Sequence, residues 1–243
     1  MVLSQAGEYT PGREARWYEG NELILKLLQT KKQLRVLDVG SGETAGYRFL
    51  VDKSVKYGIS LAGLEYHAVD NNPKIQVLLK DTGIIFHLAD LMQIDTMFAE
   101  GFFDVIIASE IIEHLVDTDK FIVTLGKLLA QDGYIYLTTP NLASWHGRLM
   151  LLFGYQPLAS EVSSERAEFG KGNILAKYYH GKAIMHVRVF TLRALLDFLK
   201  YHGFCIEAVW GGGYRKIDSL LFKKLFIGLS PIIKVLIKKG SQC

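Results

Sequence analysis

The sequence predicts an α/β protein built on a doubly wound, mostly parallel sheet, with a lid insertion and a basic, amphipathic C-terminal tail. Three observations predict it. Strand-length apolar runs alternate with helical patterns from residue 34 to residue 140. The first apolar run ends in a glycine-rich turn, Gly40-Ser41-Gly42-Glu43-Thr44-Ala45-Gly46, that opens a helix. The alternation then stops over residues 141–190, resumes, and ends in a lysine-bearing apolar segment from Gly211.

Taken in order, residues 19–29 carry apolar residues at helical spacing. "LRVLDVG" (34–40) reads as a buried strand, followed by a helix over 44–57. "LEYHAVD" (64–70) is a second strand with Asp70 at its end, and Pro73 suits the first turn of a helix over 73–80. Strands follow at 83–90 and 102–110, then a helix over 117–130 capped by Asp117 or Thr118, then a strand at 133–140 closed by Pro140. Residues 141–190 mix aromatics, charges and small residues and read as a lid over the site. "TLRALLDFLKYHG" (191–203) is an amphipathic helix stopped by Gly203, and "FCIEAVW" (204–210) is a sixth strand. The predicted organisation is therefore one domain over 1–210 and a separate basic segment over 211–243.

Composition narrows the class. The 243 residues are 49% apolar and 22% charged, as in an ordinary globular protein. Cys205 and Cys243 lie far apart and suggest neither a disulfide framework nor a zinc site, so a reducing, cytoplasmic setting is the default. The opening "MVLSQAGEYTPGREARWYEG" is polar and is not read as a signal peptide, and no apolar run nears the ~20 residues of a membrane span. From Gly211 onward seven Lys or Arg face Asp218 alone, so this segment carries +6 and the rest of the chain −3 of the net +3. Its lysines alternate with Leu, Ile and Phe, which disfavours nucleic acid. Residues 220–240 suit lying in a bilayer interface, with "RLMLLFGY" (148–155) as a second apolar contact; packing on the domain is the alternative.

Doubly wound sheets bind ligands beyond the carboxyl ends of their strands. Those ends carry Asp38, Gly40, Gly42, Asp70, Asp90, Ser109, Glu110 and Asn141. The turn satisfies G-x-G-x-x-A (Gly40, Gly42, Ala45), which also fits a dinucleotide. A carboxylate two residues before the first glycine would repel a pyrophosphate. S-adenosylmethionine has no phosphate, and its sulfonium and ammonium welcome nearby acids. Asp70 is placed to accept two ribose hydroxyls, and Asp90 to accept from the adenine amine. Each acid also has a plainer reading: Asp38 as a helix cap, Asp70 as a turn former, Asp90 as a solvated loop acid.

With "VLDVGSG", "HAVDNNP", "LADLMQID", "FDVIIASEIIEHL" and "YLTTPN" in this order and spacing, the chain resembles class I S-adenosylmethionine-dependent methyltransferases, in the branch that includes ubiquinone O-methyltransferases. The resemblance covers 34–140 and continues through 186–204. It implies a Rossmann-like methyltransferase fold, with Asp38, Gly40 and Gly42 at the methionine end of the cofactor. It also implies Asp70 on the ribose, Asn71 beside the adenine, and Asp90 with Leu91 at the adenine edge; Ser109 completes the cofactor-binding set. Thr44-Ala45-Gly46 stands where the family has its third glycine, which leaves the shape of the turn open. The family's sheet has a seventh, antiparallel strand. None is legible after Trp210, so the tail hides it or the sheet is shortened.

Methyl transfer requires mainly proximity, plus a base when the acceptor is a hydroxyl. "SEIIEHL" sets Glu110, Glu113 and His114 at spacings that share one face of a helical turn. They read either as ligands of a divalent metal, as the resemblance implies, or as a metal-free pair with His114 the base and Glu113 orienting it. Packing of His114 against the cofactor is the plain alternative. His146, His180 and His186 lie in or beside the lid as lone histidines. Arg148 and Arg188 suit an anionic acceptor group or salt bridges within the lid, and Arg16-Trp17-Tyr18 either close over the cofactor carboxylate or simply begin a helix. The expected activity is O-methylation of a small-molecule, lipid or lipid-linked glycan acceptor. The alternatives are an NAD(P)-dependent oxidoreductase and a non-catalytic cofactor-binding partner subunit.

Overall fold

The computed structural model describes residues 16–79, 82–172, 183–213, 218 and 222–240. In chain order the main elements are α1 (Tyr18–Leu28), β1 (Leu34–Val39), α2 (Ala45–Tyr57), β2 (Leu64–Asp70), α3 (Pro73–Leu78), β3 (Ile85–Leu88), β4 (Phe103–Ser109), α4 (Thr118–Leu128), β5 (Leu129–Pro140), α5 (Trp145–Leu152), α6 (Leu192–Tyr201), β6 (Phe204–Gly212) and β7 (Ile232–Lys239). The seven strands form one sheet in the order β3-β2-β1-β4-β5-β7-β6. β1 to β5 pair in parallel, and β7 runs antiparallel to both β5 and β6.

Period-2 alternation gives the sheet two apolar faces. One carries Leu37, Val39, Ile106, Ala108, Ile135 and Leu137, covered by Phe121 and Leu125 of α4 and Leu195 and Leu199 of α6. The other carries Val36, Tyr66, Val105, Ile107 and Tyr136, covered by Ile24 and Leu25 of α1 and Leu50 of α2. The helices start where their caps dictate. Asn72 accepts from Lys74 N, Asp117 from Lys120 N and Thr191 from Ala194 N, each satisfying an amide that has no partner within its helix. The helix expected over 117–130 ends two residues early because Leu129 already enters β5.

The largest correction concerns the tail. Residues 232–239 are not an interfacial amphipathic segment but strand β7, between β5 and β6. Ile233, Val235 and Ile237 are fully buried in the first core. At roughly 1.5–3 kcal/mol for each side chain removed from water, this packing outweighs anything a headgroup contact would return. The lysines between them are absorbed differently. Lys234 is buried on the opposite face, and Lys238 meets Glu207 at 2.7 Å. The sheet is therefore complete, and the expected boundary at 210/211 falls inside β6, whose strand runs on to Gly212.

Cys205 of β6 is disulfide-bonded, with its partner outside the described residues, which corrects the expectation of no disulfide to that extent. Among the described residues no helix is long and apolar enough to cross a membrane. The insertion is pinned at its base, where Asn141 bridges Phe190 and Leu142 N donates to Phe190 O at 2.9 Å.

Candidate active site

The glycine-rich turn leaves β1 at its carboxyl end. Gly40 has φ +66°, and a Cβ there would lie 2.6 Å from Ile111 Cδ1, so both backbone and space demand glycine. Thr44, in the part of the turn where the expected glycine is lacking, adopts φ 54° with its hydroxyl donating to Glu43 O at 2.8 Å. Gly46 lies under Trp17: a Cβ would stand 2.9 Å from the indole Cδ1. Asn21 of α1 donates to Gly46 O at 3.0 Å, so α1 is fastened to the start of α2.

Asp38 is buried and accepts a 2.8 Å hydrogen bond from the Tyr66 hydroxyl. Burial, reinforced by Asp70 and opposed by Tyr66, pushes its carboxyl up to about 7. Tyr66 is the residue that sequence reasoning missed here; its only signal was a tyrosine two places before Ala68 on the same face of β2. Asp70 closes β2. One carboxylate oxygen accepts from Gly42 N at 2.8 Å and the other from Asn72 N at 2.9 Å, so it shapes the turn as well as facing the site. Asn71 beside it is exposed. Asp90 follows β3 and caps a short 3-10 turn, accepting from Met92 N at 2.9 Å, with Leu91 buried behind it. Ser109 ends β4 and its hydroxyl lies 3.0 Å from that of Thr138. Asn141 is a structural pin: its amide donates to Gly228 O and Ser230 O at 3.0 and 2.8 Å.

Beyond β4 the chain turns sharply. Glu110 takes φ 55°, and its carboxylate accepts from the Thr138 hydroxyl at 3.0 Å. Glu113 is fully buried; Oε2 accepts from the Thr139 hydroxyl at 2.9 Å, and Oε1 has no hydrogen-bond partner. Burial, then the charge of Glu110, holds its carboxyl well above the usual carboxylate range. His114 Nε2 stands 3.9 Å from Glu113 Oε1, and the His114 ring lies 4.8 Å from that of His186. Burial pulls both imidazoles down, which favours their neutral forms.

The expected triple of Glu110, Glu113 and His114 is only partly gathered in one group. The left-handed backbone at Glu110 sends its carboxylate to Thr138. Among the described residues the group that gathers three ligand atoms within 4.8 Å of one another is Glu113, His114 and His186. His186 comes from the insertion, which returns over the site as Val187 N and Arg188 N donate to Glu113 O at 2.7 and 3.0 Å. Sequence spacing could not join residues 113 and 186, so His186 read as one lone histidine among three. His146 bonds Ser144 instead, and His180 lies outside the described residues. Arg148 and Arg188 donate to the carbonyls of Ala143 and Val116. Arg16 stacks 4.2 Å over Trp17, with its buried Nε unbonded.

A parallel sheet closed by an antiparallel β7, a glycine turn flanked by buried Asp38, and Asp70 at the end of β2 define the S-adenosylmethionine-dependent methyltransferase class. The chain belongs to the family of the methyltransferase domain, whose model matches residues 12–209. It is 29% identical over 129 residues to the human mitochondrial ubiquinone biosynthesis O-methyltransferase, and 30% to the Bos taurus protein. Each match takes in 51% of this chain, which spans only a third of either relative (33%). Among solved structures, the 1,6-didemethyltoxoflavin-N1-methyltransferase of Burkholderia thailandensis, with bound S-adenosylhomocysteine, has a TM-score of 0.56 at 13% identity, over 94% of this chain and 80% of that one. The PH0226 protein of Pyrococcus horikoshii has a TM-score of 0.58 at 16% identity, over 96% and 94%. At these identities the structures attest the fold alone.

Proposed function

We propose that the chain transfers the methyl group of S-adenosylmethionine to a hydroxyl oxygen of a small-molecule, lipid or lipid-linked acceptor. The observation that carries this reading is the buried Glu113 beside neutral His114, just beyond β4. Transfer to nitrogen or carbon has less need of such a corner. At the cofactor end, Gly40 and Gly42 let the backbone approach the methionine moiety, and Asp38 meets its ammonium. Asp70 takes the ribose hydroxyls, Asn71 and Leu91 flank the adenine, Asp90 offers the carboxylate oxygen that does not cap the 3-10 turn, and Ser109 lines the floor.

At the acceptor end the hydroxyl loses its proton in one of two ways: to His114 Nε2 as a metal-free base oriented by Glu113, or beside a divalent cation held by the same corner. The fit for a cation is good, because Glu113 Oε1 is buried and unbonded. A bound cation would supply a lowered hydroxyl pKa. The ubiquinone O-methyltransferase likeness and the family match support methyl transfer over hydride transfer.

A lipid-borne acceptor is supported by the exposed Leu149, Leu151, Leu152 and Phe153 around α5, and by Leu225 and Phe226 beside Lys224. Among the described residues these are exposed, unlike Ile233, Val235 and Ile237 of β7. The deciding experiment is radiolabelled methyl transfer into fractionated cell extract. Label in a hydroxyl-derived methyl ether of the organic phase supports the reading. Label confined to nitrogen or carbon, or no turnover despite tight S-adenosylhomocysteine binding, defeats it; the latter leaves a non-catalytic partner subunit.

A further inference from the structure

We propose that Glu19 is a positioning residue for cofactor binding, and that the buried trio Lys234, Glu19 and Tyr136 is the latch by which β7 seats the first turn of α1 on the glycine turn. The proposal rests on the reading that the cofactor lies on that turn at Gly40, Gly42 and Asp70. It adds a control on cofactor affinity that comes from the far end of the chain.

The need for a latch follows from how the two helices begin. α1 starts after Trp17 and α2 after Thr44, and among the described residues neither start has a side-chain cap. The first amides of each helix therefore lack the side-chain acceptor that would fix them locally. Thr44 also sits at φ 54°, a left-handed backbone that persists only where its surroundings hold it. That hold comes from α1. Trp17 lies on Gly46, the second residue of α2, and Asn21 donates to Gly46 O at 3.0 Å. The end of the glycine turn is then placed only as firmly as α1 itself.

Three side chains converge to place α1. The Tyr136 hydroxyl of β5 donates to Arg16 O at 2.7 Å and stands 3.2 Å from Glu19 Oε2. Lys234 Nζ of β7 donates to that same carboxylate oxygen at 2.6 Å. Tyr136 is fully buried, and the side chains of Lys234 and Glu19 are 3% and 8% exposed. Burial, then the charge of Glu19, pushes the Tyr136 hydroxyl well above its usual range, so it stays a donor. The fit has no slack: a Cβ on Gly20 would lie 2.7 Å from Tyr136 Cδ1, so the helix backbone rests on the ring. Lys53 of α2 and Lys223 reach the Tyr18 ring as well, at 3.6 and 4.8 Å from its centroid. A buried ion pair adds little net stability over apolar packing of the same volume; its use here is to fix one geometry. Apolar side chains would also keep α1 on the sheet. Paired charges keep it at one height and one rotation, which the contact with Gly46 requires.

Apparent affinity falls with the fraction of molecules in the binding-competent arrangement. A loosened latch therefore weakens cofactor binding without touching the cofactor. By linkage, bound cofactor steadies α1 to the same extent.

The test is calorimetric titration of full-length wild type, Glu19→Gln and Tyr136→Phe with S-adenosylhomocysteine. Ile237→Val is the control, because it loosens β7 on the opposite face of the sheet. Glu19→Gln and Tyr136→Phe should each weaken binding about 10-fold, equivalent to about 1.4 kcal/mol. Ile237→Val should lower the urea midpoint and leave binding unchanged. Hydrogen exchange read by mass spectrometry supplies a signal that lost stability alone does not move. S-adenosylhomocysteine should slow exchange over residues 17–22 of wild type, and the same amides should exchange faster in ligand-free Glu19→Gln. If either single variant loses its fold by circular dichroism, Glu19→Leu combined with Lys234→Met decides, since removing both charges strands neither. Weakened binding by that folded double variant supports the latch, and wild-type affinity overturns it. Normal binding by both single variants, equal weakening by Ile237→Val, or exchange over residues 17–22 indifferent to the ligand would also overturn the proposal. Its failure is separable from failure of the cofactor placement. Weak binding by Asp70→Ala with normal binding by the latch variants defeats the latch alone; normal binding by Asp70→Ala defeats the placement.

Discussion

Replacing Asp38 by Asn isolates the energetic cost of the buried acid beside the glycine turn. The amide keeps an oxygen for the Tyr66 hydroxyl, which donates to Asp38 Oδ2 at 2.8 Å. What is lost is the titration. The carboxyl rises from 3.8 to about 7 on folding, chiefly through burial. At 1.36 kcal/mol per pH unit, ionising it in the folded, ligand-free protein costs at most about 4 kcal/mol. Because the folded value lies above the unfolded one, the folded state holds the extra proton between pH about 4 and 7. Stability from this group therefore falls as pH rises through that window and is level on either side. Urea unfolding of wild type and Asp38→Asn at pH 5 and pH 8 reads the effect directly. The difference between the two should shift in favour of the variant by about 3 kcal/mol across that interval. With the cofactor's ammonium at Asp38, as proposed, the preference reverses, since an adjacent cation favours the carboxylate. At pH 6 S-adenosylhomocysteine binding should release close to one proton, measured by calorimetry in buffers of different ionisation enthalpy; at pH 9 it should release none from Asp38. A stability difference independent of pH, with no proton release at pH 6, would refute the reasoning.

Three further outcomes follow from other contacts. Asp70→Ala should weaken S-adenosylhomocysteine binding by roughly 1.5–3 kcal/mol in calorimetry, and by more than a ribose contact alone explains, because Gly42 N loses its acceptor as well. Lys234→Met takes from the Glu19 carboxylate the ammonium that stands at 2.6 Å, leaving only the Tyr136 hydroxyl at 3.2 Å and Lys223 at 3.7 Å among the described residues. It should cost about 3 kcal/mol in urea unfolding, and Glu19→Leu added to it should recover most of the loss; full additivity of the two would count against a coupled pair. Ending the chain after residue 231 removes Ile233, Val235 and Ile237 from the core, roughly 5–9 kcal/mol at 1.5–3 kcal/mol each, on the scale of a whole domain's stability of about 5–15 kcal/mol. The truncated protein should fail to give a cooperative unfolding transition, and retention of cofactor binding would show that β7 is dispensable.

The sheet from β1 to β5 was legible because each strand is bounded by local chemistry: Asp70 before Asn72-Pro73, the glycine turn after Val39, Pro140 after Thr139. β7 was not. "IIKVLIKK" reads as amphipathic when its lysines are taken as solvated, yet its true period is two, with Lys234 satisfied by Glu19, 215 positions away. No local signal reports such a partner. The acids at the strand ends were legible, but Asp38's relation to Tyr66 needed the register of β1 against β2. The cluster of Glu113, His114 and His186 was half legible. Glu113 and His114 are neighbours in sequence, whereas His186 arrives only through the return of the insertion, and Glu110 turns to Thr138 through a backbone angle that no residue type announces.

The place of β7 also dictates an order of events as the chain is made. It is seventh in sequence but sixth across the sheet, between β5 and β6. Until residue 239 has been synthesised, β5 shows an open edge and β6 has no neighbour at all. The half from β3 to β5, which carries the glycine turn, can assemble from parallel strands already in hand, while β6 waits unpaired. Open strand edges template association with other chains. A ribosome stalled shortly before residue 232 would therefore present a nascent chain with its glycine turn formed and its sheet unsealed.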